Sequence, residues 1–105
     1  MIVSVLLFSP VKGPAYAGEM FQSGDFLTWT EASRAAYIET SIGMASLIAA
    51  QRDRAKADCI DAWYYGNEDA AHEEIFATMR RHPEFHPRGV LLAFVRKRCD
   101  VFHKE

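Results

Sequence analysis

TEASRAAYIETSIGMASLIAA, residues 30–50, is the stretch on which the fold turns. Ala35, Ile38, Ile42, Ala45 and Ala49 recur at spacings of three and four, the period of an amphipathic helix. Tyr37, Met44, Leu47 and Ile48 widen that apolar stripe, and Arg34, Glu39 and Thr40 fall largely off it. Thr30 stands where a hydroxyl caps the first turn, and Glu31 follows where the helix dipole favours an acid. Gly43 costs a mid-helix position about 1 kcal/mol relative to Ala, so close approach of a neighbouring helix is expected there.

The segments on either side read as further helices. Upstream, Ser23 is placed to cap a short helix over residues 24–29, anchored by Phe26, Leu27 and Trp29. Downstream, the polar residues 51–58 either end the long helix or continue it as a solvated extension. Residues 59–65 follow, then a Gly66-Asn67 turn, with Asn67 as cap for a helix over residues 68–82. Glu68 and Asp69 suit the start of that helix, Arg80 and Arg81 suit its end, and Pro83 stops it. Ala71, Ile75 and Met79 line one face. A last helix is expected from Arg88 to about Phe102, with Leu91, Val95, Cys99 and Phe102 on one face, so that Cys99 points inward. With no stretch of convincing alternation, the expected fold is all-α: a small bundle of about four helices, stapled by one disulfide between Cys59 and Cys99.

That staple follows from the start of the chain. MIVSVLLF, residues 1–8, is a short apolar run, and the small-x-small triplet Ala15-Tyr16-Ala17 follows it. The layout is that of a signal peptide over residues 1–17, cleaved before Gly18, leaving residues 18–105 as a single helical domain. The run has no basic residue before Lys12 and is short for a signal, so the competing reading is an apolar segment that packs on the domain. It is far too short to cross a bilayer, which takes about 20 apolar residues. An exported chain with two cysteines joins them, which places the mature protein in a periplasmic or extracellular space. Closing the loop between them is worth about 4 kcal/mol in the chain-entropy model, much of the stability of a domain this small.

The 105 residues carry 12 basic and 14 acidic side chains, a formal charge of −2, and loss of Lys12 makes the mature chain more acidic still. This balance gives no electrostatic footprint for nucleic acid or anionic lipid. Arg96-Lys97-Arg98 spread around a helix and complement its dipole. His72-Glu73-Glu74 are helical neighbours that point apart, and His82 and His86 sit in a proline-held turn without a zinc-type ligand cluster. No catalytic residue, cofactor site or metal site is expected. The feature left over is WYYGN, residues 63–67. Three consecutive aromatics cannot all enter one small core, so at least one is expected at the surface, where Trp and Tyr favour protein contacts. The competing reading has Trp63 and one tyrosine covering the disulfide. The candidate partner-binding residues are Trp63, Tyr64, Tyr65 and Asn67, with His82 and His86 as second choice.

In this frame the chain resembles the Rap/Tai-type immunity proteins, small helical periplasmic partners of peptidoglycan amidases delivered by type VI secretion. The resemblance runs over Gly24, Leu27, Thr30, Arg34, Tyr37 and Gly43, then Cys59, the turn at Met79, His82 and Pro83, and finally Cys99. The prolines that family members carry near both cysteines are missing from CIDAWYYGNED and RKRCD. The resemblance implies a protein that sterically plugs the cleft of a secreted amidase and needs no catalytic residue of its own, and it permits a homodimer. Two other classes fit the same outline: a periplasmic acid-stress chaperone of the HdeA type, and an envelope adaptor of unknown role.

Overall fold

The computed structural model describes residues 21–102, so the signal peptide expected over residues 1–17 lies outside the described residues. Helix α1, Ser23–Phe26, is a single turn. It is followed by α2 at Glu31–Ala50, α3 at Arg54–Tyr64, α4 at Glu68–Arg81 and α5 at Pro87–Cys99. The described residues contain no strand. The all-α expectation holds, with one more helix than expected, because residues 51–58 neither simply end α2 nor prolong it. Asp53 leaves the helical conformation and its Oδ1 accepts the Ala55 N–H at 3.0 Å, so a new helix starts there.

Side-chain caps set the other boundaries. Thr30 Oγ1 accepts the Ser33 N–H at 3.2 Å and starts α2, as its sequence position predicts. His86 Nδ1 accepts the Arg88 N–H at 3.1 Å, with Pro87 as the first residue of α5. Asp100 adopts a left-handed conformation (φ 56°) and ends α5 three residues earlier than the apolar spacing suggests. Two cap assignments are corrected. Ser23 lies inside α1, buried, and its Oγ donates to the Phe85 carbonyl at 2.8 Å; the residue before α1 is Gln22, whose N–H bonds Asp25 Oδ2. Asn67 stands at the start of α4 but turns its amide back to donate to the Ala62 carbonyl at 3.3 Å.

The core is one cluster. α2 contributes Ile38, Ile42 and Ala49, α3 contributes Ala57, Ile60 and Tyr64, α4 contributes Ala71, Ile75 and Met79, and α5 contributes Val90, Leu91, Val95 and Cys99. Phe26 seals it from α1. α2 and α3 pack along each other, and α5 lies against α2, α3 and α4. Inside the α2–α3 contact, Ser46 Oγ donates to Asp61 Oδ1 at 2.7 Å, so the buried hydroxyl is satisfied. The Cys59–Cys99 disulfide spans 5.8 Å between Cα atoms and ties the middle of α3 to the last turn of α5. Cys99 faces inward, as expected.

Arg34 closes the α1–α2 corner. Expected off the core stripe, it is half-buried over the Phe76 ring and donates through Nη1 to the carbonyls of Leu27 and Trp29. Those carbonyls follow a one-turn helix and have few helical partners of their own. Ala35 and Ala45 are half-buried. Met44, Leu47 and Ile48, expected to widen the buried stripe, are exposed instead. No helix of the described residues is long and apolar enough to cross a membrane.

Candidate functional site: the α3–α4 turn and the α2–α5 groove

The α3–α4 turn gathers most of the residues singled out from sequence, and it sorts them sharply. α3 stays helical to Tyr64, so Tyr64 shares a face with Ala57 and Ile60 and is carried into the core. Its phenol lies 2.8 Å from His72 Nε2 in a hydrogen bond across to α4. Burial, reinforced by the negative charges of Glu39 and Glu68, pushes the phenol up to about 12. A side chain in that position has no face to offer a partner, which corrects the expectation that Tyr64 is a surface anchor.

Tyr65 is the aromatic that reaches solvent, at 40 % exposure. It leans on the Tyr64 ring at 5.1 Å in an edge-on contact. Its Oη sits over α2, 3.3 Å from where a Cβ on Gly43 would lie. The close approach expected at Gly43 therefore exists, made by a tyrosine rather than by a helix backbone. Partial burial and the neighbouring Asp61, Glu39 and Glu68 charges hold the Tyr65 phenol above its usual range. The turn itself is pinned: Gly66 takes φ 91°, open to glycine, and its N–H donates to Glu68 Oε1 at 3.2 Å.

Trp63 is half-buried. It stacks on Phe94 of α5 at 5.9 Å and 8°, and the Arg98 guanidinium sits 5.5 Å over the same ring. Arg98 in turn pairs with Glu74 at 2.7 Å. Trp63 thus packs between the end of α3 and the face of α5 that carries Phe94 and Arg98. Asn67 is exposed, and its side chain is held by the turn.

His82 and His86 lie apart from this turn, at the α4–α5 connection. His82 stacks on Phe85 at 4.7 Å and 6°. His86 caps α5 and meets Phe21 edge-on at 5.5 Å. Phe21, Phe26, Trp29 and Tyr37 form an aromatic nest there, and burial raises the Tyr37 phenol against the opposing pull of the Arg88 cation. Among the described residues, no group of three or more His, Cys, Asp or Glu could hold a metal ion.

A second feature has no counterpart in the sequence reading. Between α2 and α5 runs a groove of about 480 Å³, floored by Ile42, Leu91 and Val95 and walled by Met44, Ile48, Leu92 and Phe102. Met44, Ile48 and Leu92, with Leu47 next to them, are between 38 and 60 % exposed and make an apolar patch, the kind of surface that marks an interaction site when it is contiguous. Thr40, Ser41 and Arg88 mark one end. The signal was present in residues 30–50: between Glu31 and Ala50 the only charges are Arg34 and Glu39, too few to solvate the outward face of a 20-residue helix. Neither a family model nor a curated protein nor a solved structure matches this chain.

Proposed function

We propose that this chain is an exported binding protein of the immunity type, which docks on a secreted peptidoglycan amidase and blocks its active-site cleft. The observation that carries the binding reading is Tyr65: a large aromatic exposed at a turn whose backbone and flanking side chains are already fixed. A preorganised aromatic loses little entropy when it is buried by a partner, which is what makes Tyr an effective anchor. The Cys59–Cys99 bridge suits an oxidising compartment and holds α3, the helix that presents the turn. Steric blocking asks for shape and a few anchors, so no catalytic group of this chain takes part.

The test is inhibition. Oxidised protein is incubated with envelope extract, the bound protein is isolated, and peptidoglycan amidase activity is measured in the presence and absence of this chain. We expect a stoichiometric complex in which the amidase is silent, and Tyr65→Ala to weaken it at least tenfold with helicity and Tm unchanged. A fall in Tm with unchanged affinity would show Tyr65 to be a packing residue. Capture of many unrelated proteins, stronger at low pH, would replace this reading with a chaperone.

A further inference from the structure

The α2–α5 groove has a chemical polarity that its apolar patch alone does not. Most of its lining is hydrocarbon, and no carboxylate lines it among the described residues. Arg88 stands at the end where Thr40 and Ser41 place two hydroxyls, and that end is fixed by the Arg88 guanidinium 5.1 Å over the Tyr37 ring. The ion pairs among the described residues join Lys56 to Asp100 and Arg98 to Glu74, so Arg88 enters none of them. Arg88 also sits in the first turn of α5, where the helix dipole is positive and adds to the side chain's own field. Arg88 is the one cation among the described lining residues, and a cation at the mouth of an apolar trough is the complement of an anion on an apolar tail.

We propose that this groove binds a free fatty acid. The carboxylate pairs with the planar fork of Arg88, within reach of the Thr40 and Ser41 hydroxyls, and the acyl chain lies along Met44, Ile48 and Leu92. A carboxylate matches the guanidinium in two parallel hydrogen bonds. The chain supplies affinity in proportion to the methylenes it buries. The groove is of the size in which small-molecule sites are found. The site is separate from the Tyr65 turn and does not depend on the amidase reading.

The experiment is calorimetric titration of the oxidised protein with octanoate, decanoate and dodecanoate, each below its micelle concentration, with decanol as the uncharged control. We expect one saturable site, about threefold tighter for each added methylene, and at least tenfold weaker for decanol than for decanoate. Arg88→Gln should weaken decanoate about tenfold and leave decanol unchanged, and Arg88→Lys should recover part of the loss. Leu92→Asp should abolish binding of both, with helicity unaltered; Arg81→Gln, at the end of α4 and outside the groove lining, should change nothing. Several outcomes would overturn the proposal. These are absence of saturable binding, equal binding of decanoate and decanol, binding only to vesicles of anionic phospholipid, or a dimer in sedimentation that buries the groove and excludes decanoate.

Discussion

The Tyr64 phenol is a buried polar group with one partner, the His72 ring at 2.8 Å, and it keeps its proton to about pH 12 against an ordinary value of 10.0. The consequence for stability has a definite sign. Above pH 10 the unfolded chain loses the phenolic proton while the folded chain holds it, so the unfolded state binds fewer protons and stability falls as pH rises. Tyr37 and Tyr65 shift in the same direction and add to the effect. We expect the urea midpoint to fall between about pH 10 and 12. We also expect phenolate absorbance to retain a late phase that Tyr64→Phe removes. Which of the three aromatics would go inside was not legible from WYYGN alone. The choice needs the helical frame of α3, and that frame is set by Asp53, lost in a polar stretch that reads equally well as an extension of α2.

At the scale of the element, α2 illustrates how far periodicity reaches. Ile38, Ile42 and Ala49 repeat with the helix and are buried, and so are Ala71, Ile75 and Met79 on α4. The same rule mis-assigned Met44, Leu47 and Ile48, because spacing shows which residues share a face and not how many neighbours cover the helix. Gly43 is the position where fold and candidate site meet. A methyl group there approaches Tyr65 Oη at 3.3 Å, and that hydroxyl is the far end of an exposed side chain that can give way. Gly43→Ala should therefore stabilise α2, by less than about 1 kcal/mol, while displacing Tyr65. Chemical denaturation checks the first effect. Weakened amidase binding by a more stable protein would separate the role of Tyr65 from any general loss of structure.

For the whole molecule the decisive covalent feature is the bridge. Cys59 and Cys99 are 40 residues apart, and closing that loop restrains the unfolded chain by about 4 kcal/mol. Replacing both with Ser, or adding dithiothreitol, should lower the unfolding free energy by an amount of that order, read from urea curves at matched pH. Cys99 falls in step with Leu91 and Val95, so its inward placement was legible in the sequence. The scarcity of charge in residues 30–50 signals the exposed apolar face of α2 but not the groove, which arises where two helices meet and Arg88 and Thr40 are far apart in sequence. The stitching of α1 was equally hidden. The Ser23 N–H donates to the Phe85 carbonyl at 2.7 Å, and the Gly24 N–H donates to the Pro83 carbonyl at 2.9 Å. One helical turn near the start of the described chain is thus sewn to the connection before its last helix. Such a turn cannot fray as an isolated end does. Its first two amides open only when α1 lifts away from the α4–α5 connection, which makes this smallest helix a reporter of that docking rather than a loose appendage.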